Sequence, residues 1–156
     1  MSIPLYGQNK DGNNLQFAAD SQIGDEIAVG DAGKVISKGD LKGAITMVTI
    51  NVAATSPRTI TIPDATACGK QQIDVLWTVA SDAEATVIEA AGGSMLGAVL
   101  AQNGAGTTIV QSDGSDTKIT VNDNIEPGTR LSFYSNGTNW ICSGVTLSAD
   151  ADPAFS

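Results

Sequence analysis

The stretch Arg130-Leu-Ser-Phe-Tyr-Ser-Asn-Gly-Thr-Asn-Trp-Ile-Cys-Ser-Gly144 narrows the folds open to this chain more than any other. Asn136-Gly137 is a strong short hairpin signal, because both central residues of a type I′ turn need positive φ, which Asn and Gly tolerate. Leu131, Phe133, Trp140 and Ile141 flank the turn and give the hairpin an apolar surface to bury. A hairpin alone is not stable in water, so the rest of the chain must supply partner strands.

The sequence before it reads in the same way. From Ala44 to about Leu147 apolar residues alternate with polar ones: Val48, Ile50 and Val52; Ile60 and Ile62 between threonines; Ile73, Val75, Trp77 and Val79. Period 2 is the signature of half-buried strands. Further strands are expected at Ala85–Ala90, Met95–Ala101, Thr107–Gln111, Lys118–Val121, Leu131–Tyr134 and Asn139–Leu147. Gly92-Gly93, Asn103-Gly104, Asp113-Gly114 and Pro127-Gly128 separate them as turns. Short strands at about ten-residue spacing predict an all-β fold, an antiparallel β-sandwich or jelly-roll-like body. Its expected core is Ile50, Ile60, Ile62, Val75, Trp77, Val121, Leu131, Phe133 and Ile141, with Trp140 half-buried behind the hairpin tip. One helical turn fits within Ala80–Ala91, although Thr86-Val87-Ile88 favours strand.

Three zones follow. Residues 1–43 are too rich in glycine for a stable helix and read as an extended N-terminal arm over the first twenty residues, followed by edge elements around Ile27, Val29, Val35 and Ile36. Residues 44–148 form the β-sandwich body, and 149–156 read as a C-terminal tail anchored by Phe155.

Composition restricts function. With 17 acidic residues against 8 basic ones the net charge is −9, which leaves no broad basic face for phosphates or anionic lipids, so neither nucleic acid nor membrane is an expected partner. No secretory signal or membrane-spanning run is recognised. Histidine is absent, and with it the usual general base and the commonest transition-metal ligand. Two cysteines without histidine do not complete a zinc site; Cys68 and Cys142 read as buried free thiols, with a disulfide between them the alternative.

Acid pairs at Asp82 and Glu84, or Asp113 and Asp116, meet the minimum for glycoside hydrolysis, but both sit in turns where carboxylates are ordinarily solvated. Asn9-Lys-Asp11-Gly-Asn13 with Asp20 partly imitates a calcium loop, yet Asn14 stands where the sharp turn needs glycine. The oxygen-rich Ser112–Asp116 loop reads as a solvated turn. No catalytic residue, cofactor or metal is therefore expected. Lys34, Lys38 and Lys42 form a cationic cluster suited to an acidic partner or simply to water.

The motif Ile60-Thr-Ile-Pro-Asp-Ala65, then Gly69-Lys70, and about seventy residues after the first motif Ser135-Asn-Gly-Thr-Asn-Trp140, resembles a β module of tailed-bacteriophage structural proteins. The opening Pro4-Leu-Tyr-Gly-Gln-Asn-Lys-Asp-Gly12 is similar to the start of small virion proteins of cyanobacterial phages. The resemblance implies a non-enzymatic capsid decoration (cement) protein on the outside of the virion, assembled in the host cytoplasm. Its partners would be the major capsid protein and further copies of itself, as a trimer at local threefold positions. Contacts with the shell would come from Ile3, Leu5, Tyr6 and Phe17 of the arm and from Lys34, Lys38 and Lys42. The alternative within the same resemblance is a head- or tail-fibre module that binds host-surface glycans around Trp140, Tyr134 and Asp113.

Overall fold

The computed structural model describes residues 26–81, 84–149 and 152–156. It is a sandwich of two β-sheets. Strands β1 (Ile27–Val29), β3 (Ile45–Ile50), β5 (Gln72–Trp77), β7 (Met95–Asn103), β8 (Gly106–Gln111), β10 (Arg130–Ser135) and β11 (Trp140–Leu147) make a seven-stranded sheet ordered β1-β3-β5-β10-β11-β7-β8. Strands β2 (Lys34–Val35), β4 (Arg58–Ile62), β6 (Thr86–Ala90), β9 (Lys118–Val121) and β12 (Ala154–Phe155) make a five-stranded sheet ordered β12-β9-β6-β4-β2. The expected all-β sandwich is therefore present. Its pairing is mixed rather than wholly antiparallel.

The reason lies in how the first half of the chain is wound. From β1 to β6 each strand crosses to the opposite sheet, so β1, β3 and β5 lie side by side in one layer and β2, β4 and β6 in the other. Two crossings restore the original direction, and the neighbours β1/β3, β3/β5, β2/β4 and β4/β6 all run parallel. After β6 the winding gives way to hairpins: β7 pairs antiparallel with β8 and β10 with β11. Strand β10 then pairs antiparallel with β5 and β11 parallel with β7, which joins the two halves into one sheet.

Alternate residues of both sheets point inward and pack as one core. It contains Ile50, Ile60, Ile62, Val75, Trp77, Val121, Leu131 and Phe133, together with Ile73, Ile88, Met95, Val99, Ile119 and Trp140. Ile141 does not belong to it. Side chains alternate across a strand, and β11 turns Trp140 and Cys142 inward, which leaves Ile141 partly exposed on the outer face. Trp140 is completely buried rather than half-buried.

The strands β10 and β11 are joined by four residues, since Ser135 pairs with Trp140. The turn is not the expected two-residue type: among its residues only Gly137 has positive φ, and the Asn136 side-chain oxygen accepts from the backbone N–H of Thr138 (2.9 Å) and Asn139 (2.8 Å). The α-helical turn is α1, Ala65–Cys68, rather than a segment within Ala80–Ala91; Asp64 caps it by accepting from Thr66 N–H at 2.8 Å. Residues 154–155 are not a loose tail. They add an edge strand beside β9, and Phe155 packs against the core.

Candidate functional site

The two motifs that carry the resemblance meet in space. The Trp140 indole Nε1–H donates to the Pro63 carbonyl at 2.8 Å, and the Ser135 hydroxyl donates to the Ala65 carbonyl at 2.8 Å. Between them runs the Gly92–Ser94 turn: Ala65 N–H donates to the Gly92 carbonyl at 3.2 Å, and Ser94 N–H to the Asn139 side-chain oxygen at 3.1 Å. Gly93 lies at φ +81°, and a Cβ there would stand 2.6 Å from the Thr138 carbonyl oxygen. These bonds pair the Trp140 indole and the Ser135 hydroxyl inside the fold, so the two motifs form a clasp that ties the two sheets together.

The charged and nucleophilic candidates are dispersed. Cys68 and Cys142 are both free and buried, and burial pushes the Cys142 thiol up to about 12. Asp113 accepts from both the backbone N–H and the hydroxyl of Ser115 at 2.8 Å, while Asp116 accepts from Asp113 N–H at 2.9 Å. These carboxylates brace their own turn. The hydrogen bonds from Ser115 hold the Asp113 carboxyl below the usual range. Among the described residues no three His, Cys, Asp or Glu side chains gather in a metal-binding arrangement. Asp82 and the Asn9–Asp20 loop lie outside the described residues, as do Ile3, Leu5, Tyr6 and Phe17.

Lys34, Lys38 and Lys42 are exposed on or beside β2 and the short 3-10 turn Lys38–Asp40. Asp40 sits among them, fixed by hydrogen bonds from the Ser37 hydroxyl (2.7 Å) and N–H (2.8 Å). Those bonds, and more weakly the charges of Lys34 and Lys42, hold its carboxyl below the ordinary range. Trp140, needed at the surface by a glycan-binding reading, is buried; Tyr134 remains 40% exposed. A shallow groove of about 380 Å³ runs between Gln102–Gly104, Glu126 and Leu147–Ala149, and Glu126 is its one ionisable side chain.

The outer surface of the seven-stranded sheet is the feature that sequence reasoning missed. The strand registers place Ile109, Leu100, Val145, Arg130 and Leu76 in one row across five adjacent strands. A second row holds Leu96, Ile141, Tyr134, Gln72 and Ile45. Ile109 is 70% exposed, Leu100 41% and Val145 36%. Between these rows Asp74, nearly buried although on the outer side, is bound by Gln72 Nε2 at 2.7 Å and paired with the Arg130 guanidinium. The five-stranded sheet presents the opposite character. Its outer face carries Thr59, Thr61, Glu89, Lys118 and Thr120, with Thr61 donating to Glu89 at 3.0 Å. The contrast is one of degree: Val87 and Val35 (72% exposed) also face outward on the five-stranded sheet, and Gln111, Ser143, Ser132 and Asp74 stand between the apolar rows of the seven-stranded one.

The signal for the apolar face was present in the sequence. Leu96, Leu100, Ile141 and Val145 stand at alternate positions to the buried residues of the same strands, where a freely solvated sheet carries polar side chains. Comparison of the chain with family models, curated proteins and solved structures found no match. Among the described residues no helix is long and apolar enough to cross a membrane.

Proposed function

We propose that this chain is a non-enzymatic capsid decoration protein of a tailed bacteriophage. It binds the outer surface of the mature shell through the apolar face of the seven-stranded sheet, as trimers at local threefold positions, and stabilises the shell. The observation that carries this reading is the contrast between the two faces. Contiguous exposed apolar side chains on a sheet mark an interaction surface, while the Thr-, Glu- and Lys-bearing face suits the solvent side of a particle. The resemblance carried by Ile60–Ala65 and Ser135–Trp140 supplies the kind of particle.

The mechanism needs no reaction. A domain that binds the mature arrangement of capsid subunits and not the precursor stabilises the former by mass action. Many copies, each contacting several subunits, add their effects through effective concentration. The acidic surface discourages non-specific association of free copies.

Shells that lack the protein provide the test. Purified chain is added, the shells are pelleted, and bound copies are counted by quantitative mass spectrometry. The parent protein saturates the shells at many copies per particle. A Leu100→Lys, Val145→Glu double variant, whose opposite charges face each other across β7 and β11, loses most of this occupancy and keeps its melting temperature. Undiminished occupancy by the variant removes the apolar face from the interface. A handful of copies per particle, against hundreds, replaces decoration with the fibre reading.

A further inference from the structure

Four strands end the two sheets, and they are unequal. Strands β1, β2 and β12 are three, two and two residues long. Strand β8 is six residues long and, among the described residues, pairs only with β7. Edge strands expose a row of unpaired N–H and C=O groups, and proteins blunt them by shortness, charge, proline or bulges. Three of the edges here are blunted by length, and β2 carries Lys34 besides. Among the described residues none of these devices protects β8, although the two-residue β12 of the other sheet approaches it. Its sequence Gly-Thr-Thr-Ile-Val-Gln has no charge and no proline, and the whole hairpin Met95–Gln111 has no charged residue. Five of its six residues are exposed, Ile109 at 70%.

From this we infer that β8 is an assembly edge, which pairs antiparallel with β8 of a second copy of this chain across a twofold axis. The second copy is chosen over a foreign strand by charge and by symmetry. Two bodies of net charge −9 repel, and an edge inside a 17-residue uncharged hairpin lets them approach without like charges opposed. A twofold contact uses the same surface on both partners. An axis normal to the sheet continues the row Val145–Leu100–Ile109 into its own mirror order, so Ile109, the most exposed apolar side chain of the row, gains Ile109 of the second copy as an apolar neighbour. That axis also leaves the apolar faces of both copies on one side. Two coplanar faces can then bind one underlying surface together, and decoration trimers become linked across local twofold positions.

The pairing is tested in solution without any capsid, so its failure is separate from that of the proposed function. Sedimentation equilibrium of the full chain is measured over a range of concentrations, alongside hydrogen exchange of the Gly106–Gln111 amides. The mass doubles with rising concentration, and β8 amides slow in step with it. Ile109→Lys, at an exposed position that leaves the core untouched, weakens association on the order of a hundredfold by replacing paired apolar contact with facing charges. Its far-UV circular dichroism stays that of the parent. A parent protein that remains monomeric throughout overturns the inference. So does association with freely exchanging β8 amides, and so does β8 protection that appears only on shells, which would assign the edge to a strand of the capsid protein. Should the lysine variant misfold, the exchange data on the parent still decide.

Discussion

Asp74 shows how a single side chain can sit on an outer face and yet behave as an interior group. Burial alone would raise its carboxyl pKa, but hydrogen bonds from Gln72, Ser132 and Arg130 and the Arg130 charge outweigh that, and the net shift is downward. A folded-state pKa below the unfolded one means that the ionised form stabilises the fold. The contribution is complete above the ordinary value of 3.8 and is lost as pH falls through the lower folded-state value. Asp74→Asn should therefore reduce stability at neutral pH and flatten the acid limb of a plot of urea midpoint against pH. Trp140 offers a second check. Trp140→Phe keeps most of the apolar bulk but removes the donor to Pro63, leaving a buried carbonyl unpaired. The expected loss is about 1–3 kcal/mol by urea denaturation, whereas a residue stacked on solvent would tolerate the change.

At the scale of elements, the strands themselves were legible and their partners were not. Lys118–Val121 was read to the residue, and Ile60, Ile62, Ile73, Val75 and Trp77 show their inward alternation directly in the sequence. Period 2 reports which face of a strand is buried, but it is silent on whether the next strand returns beside it or crosses to the other layer. The connection from Ile50 to Arg58 crosses, while that from Asn103 to Gly106 turns back. Helix α1 was missed although Asp64 after Pro63 is a recognisable N-cap. The parallel contact between β7 and β11 yields a prediction at this scale. Gly97 lies at φ +118°, and an added Cβ would come within 2.0 Å of the Cys142 carbonyl oxygen. Gly97→Ala should cost about 3 kcal/mol or more in thermal or urea unfolding, among the larger effects of single substitutions. Ala98→Gly, one residue away and facing outward, should cost far less.

For the molecule as a whole, the sequence shows outward apolar positions strand by strand, but that they join into one face, and that β8 ends a sheet, are properties of neighbours. Ile109, Leu100 and Val145 are separated by 9 and 45 positions in the chain and become one row only through the registers of β8, β7 and β11. The clasp was half legible: its two motifs stand out, but their meeting through Pro63, Ala65, Ser135 and Trp140 depends on the whole sandwich. That arrangement also fixes when the fold can be completed. Strand β10 lies at the middle of the seven-stranded sheet, between β5 and β11, although β1 to β9 all precede it in the chain. Until residues 130–147 emerge, the wound first half has an open edge along β5, the β7–β8 hairpin has no sheet to join, and Pro63 lacks its indole. Closure is consequently a long-range event of the kind that folds slowly, and the nascent chain must keep the exposed side of β5 from false partners until residues 130–135 have been made.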